Sequence, residues 1–223
     1  STNVSLLNAT EMHFEADGRY EIYVGAENPK GHHNWLKTAP GAEALLVRFS
    51  HSDWSTEQVG ELDIELLGEQ GISAAPLSTS IMAEKLRKAA VHLYDRNATW
   101  VGYSKMILNM LAANTLATAR ATQGGLVGQY SSLGNWDFGD DQAMIISVAA
   151  GNSSYQSIVL GNLWFVSLNY ESRTSSFTLD QAYKSSDGLY HFVISHKDPG
   201  IQNWLDTEGH QRGLINLRWQ GMS

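Results

Sequence analysis

Asp187-Gly188-Leu189-Tyr190-His191-Phe192-Val193-Ile194, then Asp198-Pro199-Gly200, then Asn203-Trp204-Leu205-Asp206-Thr207, then Leu214-Ile215-Asn216-Leu217-Arg218-Trp219 follow one another in the 223-residue chain. An Asp-Gly turn launches an aromatic and β-branched run, a Pro-Gly turn interrupts it, and a second apolar run returns. The same order stands near the other end: Asp17-Gly18-Arg19-Tyr20-Glu21-Ile22-Tyr23-Val24, Asn28-Pro29-Lys30-Gly31, Asn34-Trp35-Leu36-Lys37-Thr38 and Leu45-Leu46-Val47-Arg48-Phe49. Asp17 and Asp187 are 170 positions apart, and Asn34 and Asn203 are 169 apart. The expectation is a β-rich fold with related Asn-Trp-Leu hairpins near both ends, the first over residues 14–50. In each, Asn and Thr close the loop by side-chain bonds to backbone, while Trp and Leu pin it to the core.

Between the hairpins the periodicity changes. Residues 60–67 alternate as Glu61-Leu62-Asp63-Ile64-Glu65-Leu66, the pattern of a half-buried strand. Ser78-Thr79-Ser80 can cap a helix carrying Met82, Leu86, Ala89, Ala90 and Leu93 at helical spacing. A break is expected at Asn97-Ala98-Thr99, and a second helix runs from Trp100 to Thr122 before Gly124-Gly125, giving a two-helix insertion over about residues 78–123. Met and aromatic residues on these helices read as core contacts. A β region follows over 134–219, with strands at 143–148, 155–160 and 163–168.

Composition sets the class. With 43% hydrophobic residues, 17% charged residues and 20 glycines the chain is globular, and its length suits one domain over residues 1–223. A net charge of −8 with only 15 Lys and Arg argues against binding a phosphate backbone, so no nucleic-acid partner is expected. Lys85, Arg87 and Lys88 read as a solvated helix face. No apolar run is long enough for a membrane span. The absence of cysteine excludes disulfides and thiolate chemistry. The chain starts at Ser1, which leaves two expectations: a cytoplasmic protein, or an exported one after removal of a signal segment. Sequons stand at Asn3, Asn8, Asn97 and Asn152, of which about half are expected by chance in a chain rich in Ser, Thr and Asn, so glycosylation is not the expectation.

Several stretches together resemble a known family: Gly124-Gly125-Leu126-Val127-Gly128-Gln129, Gly134-Asn135-Trp136-Asp137, Leu160-Gly161-Asn162-Leu163-Trp164, and the run from Asp198 to Gly213 with Arg218-Trp219. They resemble the bacterial family named for domain of unknown function 1214, as does the first hairpin. The resemblance implies an antiparallel β-sandwich or jelly roll with appended helices, in proteins often longer on the N-terminal side. It carries no catalytic residues.

The chemistry-bearing side chains are densest in the last motif. His196, Asp206 and His210 are the catalytic candidates, and imidazole with carboxylate also suits a divalent metal, although their spacing matches no compact ligand motif. No cofactor is predicted. His32-His33 lies in the equivalent loop of the first hairpin. Asp137, Asp140 and Asp141 read as solvated acids, and no Gly-X-Ser-X-Gly elbow names a serine nucleophile. For a small organic or carbohydrate ligand the candidates are Trp35, Trp136, Trp164, Asn203, Trp204 and Arg212. The competing expectation is a structural domain that packs on an upstream domain or forms a homo-oligomer.

Overall fold

The structure, a computed structural model, describes residues 4–42, 44–69, 71, 76–122 and 125–222. The sequon at Asn3 and the first residue of the Gly124-Gly125 pair lie outside them. The chain divides into two compact units, Ser1–Phe49 and Ser50–Ser223. Ten strands and one α-helix occur among the described residues, so the fold is mainly β.

In the first unit β1 (Tyr23–Gly25) pairs with β2 (Trp35–Lys37). In the second, β3 (Arg120–Ala121), β4 (Tyr130–Asp137), β6 (Tyr155–Gly161), β7 (Ser176–Thr178) and β10 (Arg212–Gln220) form a five-stranded antiparallel sheet in the order β3-β4-β10-β6-β7. β5 (Ala143–Ala149), β8 (Leu189–Ser195) and β9 (Trp204–Asp206) form a three-stranded sheet. One buried cluster draws on both sheets: Trp136, Ile158, Leu160, Ile215 and Leu217 from the larger, and Ile146, Phe192, Ile194 and Leu205 from the smaller. Strand alternation explains the selection, because cross-strand partners share a face. Gly213 lies opposite Trp136, Ile215 opposite Leu160, and Leu217 opposite Ile158. Gly213 has no side chain for a steric reason: a Cβ there would lie 2.1 Å from the Trp136 ring and 2.6 Å from the Gly161 carbonyl oxygen.

The two Asn-Trp-Leu segments are not hairpins. β1 pairs with β2, and β8 with β9, in parallel. Parallel neighbours require the chain to travel back before the second strand starts. Asn203, at φ 56°, makes that reversal in the left-handed region, and its own carbonyl accepts the Val193 amide at 3.0 Å. The same contacts occur at both ends. The Asn34 amide group braces both backbone groups of His13, at 2.7 and 2.8 Å, as that of Asn203 braces those of Tyr183, at 2.7 and 2.8 Å. Trp35 donates its indole N–H to the Gly25 carbonyl and Trp204 donates to that of Ser195.

Other expectations also change. Residues 45–49 and 60–67 are not strands, and Leu46, Ile64, Leu66 and Leu67 are exposed. Neither segment pairs with a strand among the described residues, and an apolar or alternating run forms a strand only where a partner takes up its backbone groups. The two-helix insertion is one helix, α1 (Thr79–Met110), capped by Ser78, whose hydroxyl accepts the Ile81 amide. Asn97-Ala98-Thr99 does not break it. No Gly or Pro stands there to interrupt the backbone ladder, and the helix accommodates the Thr99 hydroxyl, which donates to the Asp95 carbonyl at 2.7 Å. Past Met110 the chain leaves the helix because β4 claims it: the Ala117 amide bonds to the Leu133 carbonyl, and the Asn135 side chain accepts the Asn114 amide. Residues 163–168 form a loop, described below. No helix among the described residues is long and apolar enough to cross a membrane.

Candidate functional site

A cleft of about 820 Å³ opens in the second unit, lined by Asp137, Asn162, Leu163, Trp164, Gly209, His210, Gln211 and Arg212. Three segments build it. The first is the end of β4 with the start of β10, where Asp137 and Arg212 are cross-strand partners on the face opposite Trp136. The Asp137 backbone is held there by Asn114, whose side chain accepts the Asp137 amide at 2.8 Å and donates to its carbonyl at 2.9 Å.

The second segment is the loop after β6. The Asn162 side-chain oxygen accepts the amides of Trp164 and Val166, and the Asn162 amide bonds to the Val166 carbonyl. This tight closure is what replaces the expected strand at 163–168. It turns Trp164 outward, 64% exposed, and forces Phe165 to φ 60°. The Phe165 ring in turn stacks on Trp100 of α1 with centroids 5.2 Å apart and planes 4° from parallel, and meets Tyr103 edge-on. The helix therefore steadies the loop that presents Trp164.

The third segment runs from Thr207 to Gln211. Glu208, at φ 54°, and Gly209, at φ 78°, carry the turn, and the His210 amide bonds back to the Thr207 carbonyl. Asp206 accepts the Glu208 amide at 2.7 Å and pairs with Arg173 at 3.2 Å, while Glu208 accepts the Asn169 amide. The fully buried Trp136 donates its indole N–H to the His210 carbonyl at 3.1 Å.

The structure thus brings Trp164, His210 and Arg212 to one cleft and leaves the other named candidates outside it. Trp136 lies in the core. Asn203 and Trp204 serve the β8-β9 crossing, and Trp35 serves the β1-β2 crossing of the first unit, where His32 stacks on Tyr23. His196 donates Nε2–H to the Phe138 carbonyl at 3.1 Å, so its Nδ1 accepts from the Thr207 hydroxyl at 2.6 Å. Both ring nitrogens are thus engaged within the fold, and Asp206 is held by Arg173 and the Glu208 amide. Among the described residues no group of three or more His, Asp or Glu side chains is placed to hold a metal ion. Asp137, Asn162 and Gln211 join the cleft without a sequence signal for ligand binding. Their place follows from strand register and loop closure.

Comparison with known proteins agrees with this fold. A crystal structure of an uncharacterized protein from Burkholderia cenocepacia superposes with a TM-score of 0.88 at 28% identity, covering 98% of this chain. The chain spans 61% of that protein's length. A crystal structure of a protein from Vibrio parahaemolyticus aligns over 42% of this chain and 26% of its own, at 19% identity and a TM-score of 0.34. No curated protein matches the chain in sequence. Residues 1–53 match the model of the family described as protein of unknown function (DUF1214), the family that the sequence resembles.

Proposed function

We propose that the second unit is a binding domain for a small polyhydroxylated ligand, a mono- or disaccharide, held in the cleft beneath Trp164. The observation that carries this reading is the 64% exposed indole of Trp164 standing in a cleft with Asp137, His210, Gln211 and Arg212. An indole face suits the C–H face of a sugar ring, and carboxylate, amide and guanidinium groups supply paired donors and acceptors for hydroxyls. The two cleft loops also carry Phe165 and Glu208 in the left-handed region, at about 1–3 kcal/mol each, a form of strain concentrated at ligand clamps. In this reading the two larger sheets are the layers of a sandwich, and the two Asn-Trp-Leu segments are copies of one unit. Calorimetric titration with a panel of mono- and disaccharides tests it. Trp164→Ala is expected to weaken binding by at least about 30-fold, the effect of losing a central aromatic anchor. The reading fails if no saccharide binds, or if the variant binds as the parent does.

A specific feature favours a structural role as well. Residues 79–99 of α1 are exposed on every side, and Met82, Leu86, Ala89 and Leu93 recur at the 4-3-4 spacing of a two-helix seam. The helix has 32 residues, about 48 Å of length, far more than its contact with β4 covers. The reading is that α1 pairs with α1 of a second copy. Light scattering is expected to give a dimer, converted to a monomer by Leu86→Glu with Leu93→Glu. A parent monomer at all concentrations refutes it.

A further inference from the structure

Outside the cleft, one line of side chains on the outer face of the three-stranded sheet has the connectivity of a nucleophile, a base and an orienting acid. The register of β5 and β8 places Ser147 directly opposite His191. Ser147 Oγ lies 2.7 Å from His191 Nδ1, and His191 Nε2 lies 2.9 Å from Asp187 Oδ2. The protons can be assigned from the acid end. An ionised carboxylate only accepts, so Nε2 carries the ring proton; Nδ1 then keeps its lone pair and accepts from the Ser147 hydroxyl. The Asp187 carboxyl is held below its ordinary value of 3.8, first by the Leu189 backbone N–H and then by His191, which keeps it an acceptor at neutral pH.

Turn formation alone does not explain this arrangement, because the first unit makes the same turn without it. There, Asp17 Oδ1 accepts the Arg19 amide as Asp187 Oδ1 accepts that of Leu189. Glu21 stands where His191 stands in the second unit, and the other Asp17 oxygen goes to Arg19 Nε at 2.7 Å. In the second unit, with Oδ1 fixed by the backbone, Oδ2 is free to aim the imidazole. Alternation then isolates the polar line. Ile145, Ser147 and Ala149 share the outer face with their partners Val193, His191 and Leu189, while Met144, Ile146 and Val148 face the core. Ile145 is 67% exposed. Val193 is buried, so Ile145 on one side and Ala149 with Leu189 on the other supply the accessible apolar surface flanking Ser147 and His191, suited to a short acyl chain.

We propose that Ser147, His191 and Asp187 form an acyl-transfer site that hydrolyses small, activated carboxylic esters with apolar acyl groups. Ser147 Oγ attacks the ester carbonyl carbon as its proton passes to His191 Nδ1. The bond from carbonyl carbon to alkoxy oxygen breaks, the alcohol leaves with that proton, and the acyl group stays on Ser147. Water, deprotonated by His191, then attacks the acyl carbon, releases the carboxylic acid and returns the proton to Ser147. Asp187 is a positioning residue: it fixes the ring and its tautomer. The site is an open sheet face with few contacts for a leaving group, which restricts it to esters whose leaving group departs readily.

The test uses the full chain with a fluorophosphonate probe, located by peptide mapping, together with hydrolysis of p-nitrophenyl butyrate. The expected result is modification at Ser147, lost in Ser147→Ala, with ester hydrolysis falling in parallel. His191→Gln is expected to slow labelling by about 100-fold or more, the contribution of a positioned general base. Asp187→Asn retains the turn acceptor, so a purely architectural Asp187 would leave the labelling rate unchanged, whereas a positioning role lowers it at least about tenfold. These side chains lie on the surface, and a thermal melt confirms that each variant folds. Absence of labelling at Ser147 overturns the proposal, as does labelling there at the same rate in His191→Gln.

Discussion

Asn203→Ala is the substitution whose effect can be worked most fully from the structure. The residue is 6% exposed and makes three side-chain bonds: it accepts the Tyr183 amide at 2.7 Å and donates to the Tyr183 carbonyl at 2.8 Å and the His191 carbonyl at 3.1 Å. At about 1 kcal/mol net for each bond, truncation removes about 3 kcal/mol. Asn203 also sits at φ 56°, where Asn is tolerated and Ala is not, which adds about 1 kcal/mol. The expected loss is about 4 kcal/mol, a fall in Tm of roughly 8–16 °C for a domain of this size. Asn203→Gly separates the two contributions: it relieves the backbone while still losing the bonds, so it should recover about 1 kcal/mol over Ala. Asn34 makes the equivalent two bonds to His13 but does not have a positive φ, so Gly should offer no advantage over Ala there. Equilibrium urea unfolding of the four variants measures this. The reasoning is refuted if Asn203→Ala loses less than about 1 kcal/mol, or if Gly and Ala are equivalent at 203.

Gly213→Ala should lose about 3 kcal/mol through overpacking against Trp136, and Trp136→Phe in the same chain should return part of that loss; additive losses in a double-mutant cycle of thermal melts would refute the contact. Asp187 has a folded pKa below 3.8, so its stabilising contacts are complete above that value and are lost as pH falls through the lower folded value. Its side-chain carboxyl carbon, followed by NMR, should titrate with a midpoint below 3.8; a midpoint at or above 3.8 refutes the assignment.

The strands legible in the sequence were those with apolar runs that place at least one face in the core. β5, β6, β8 and β10 fall under the apolar stretches that contain Ile146, Ile158, Phe192 and Ile215. β4 was hard to read because Tyr130-Ser131-Ser132 is polar and its core face is completed by Trp136 and Gly134. Residues 60–67 show the opposite case, a clear alternation with no partner strand among the described residues to realise it. The helix continues through Asn97 because no Gly or Pro interrupts its backbone ladder there, and Asn and Thr alone are weak breakers. In the cleft, Trp164, His210 and Arg212 were visible as residue types, while Asp137 arrives through its pairing with Arg212. Ser147 and His191 are 44 positions apart, and only the β5-β8 register joins them. Asp187, in the turn before β8, and His191, on it, stood four apart in plain view, but such a pair does not mark a site without its third member.

β10 is the last strand among the described residues, yet it occupies the middle of the five-stranded sheet, between β4 and β6. A ribosome making this protein releases both flanking strands well before the one that joins them. Until residues 212–220 emerge, β4 and β6 each hold an open edge where β10 will pair. Completion of this sheet therefore waits on β10, and the two halves it joins cannot pair through it until it is made.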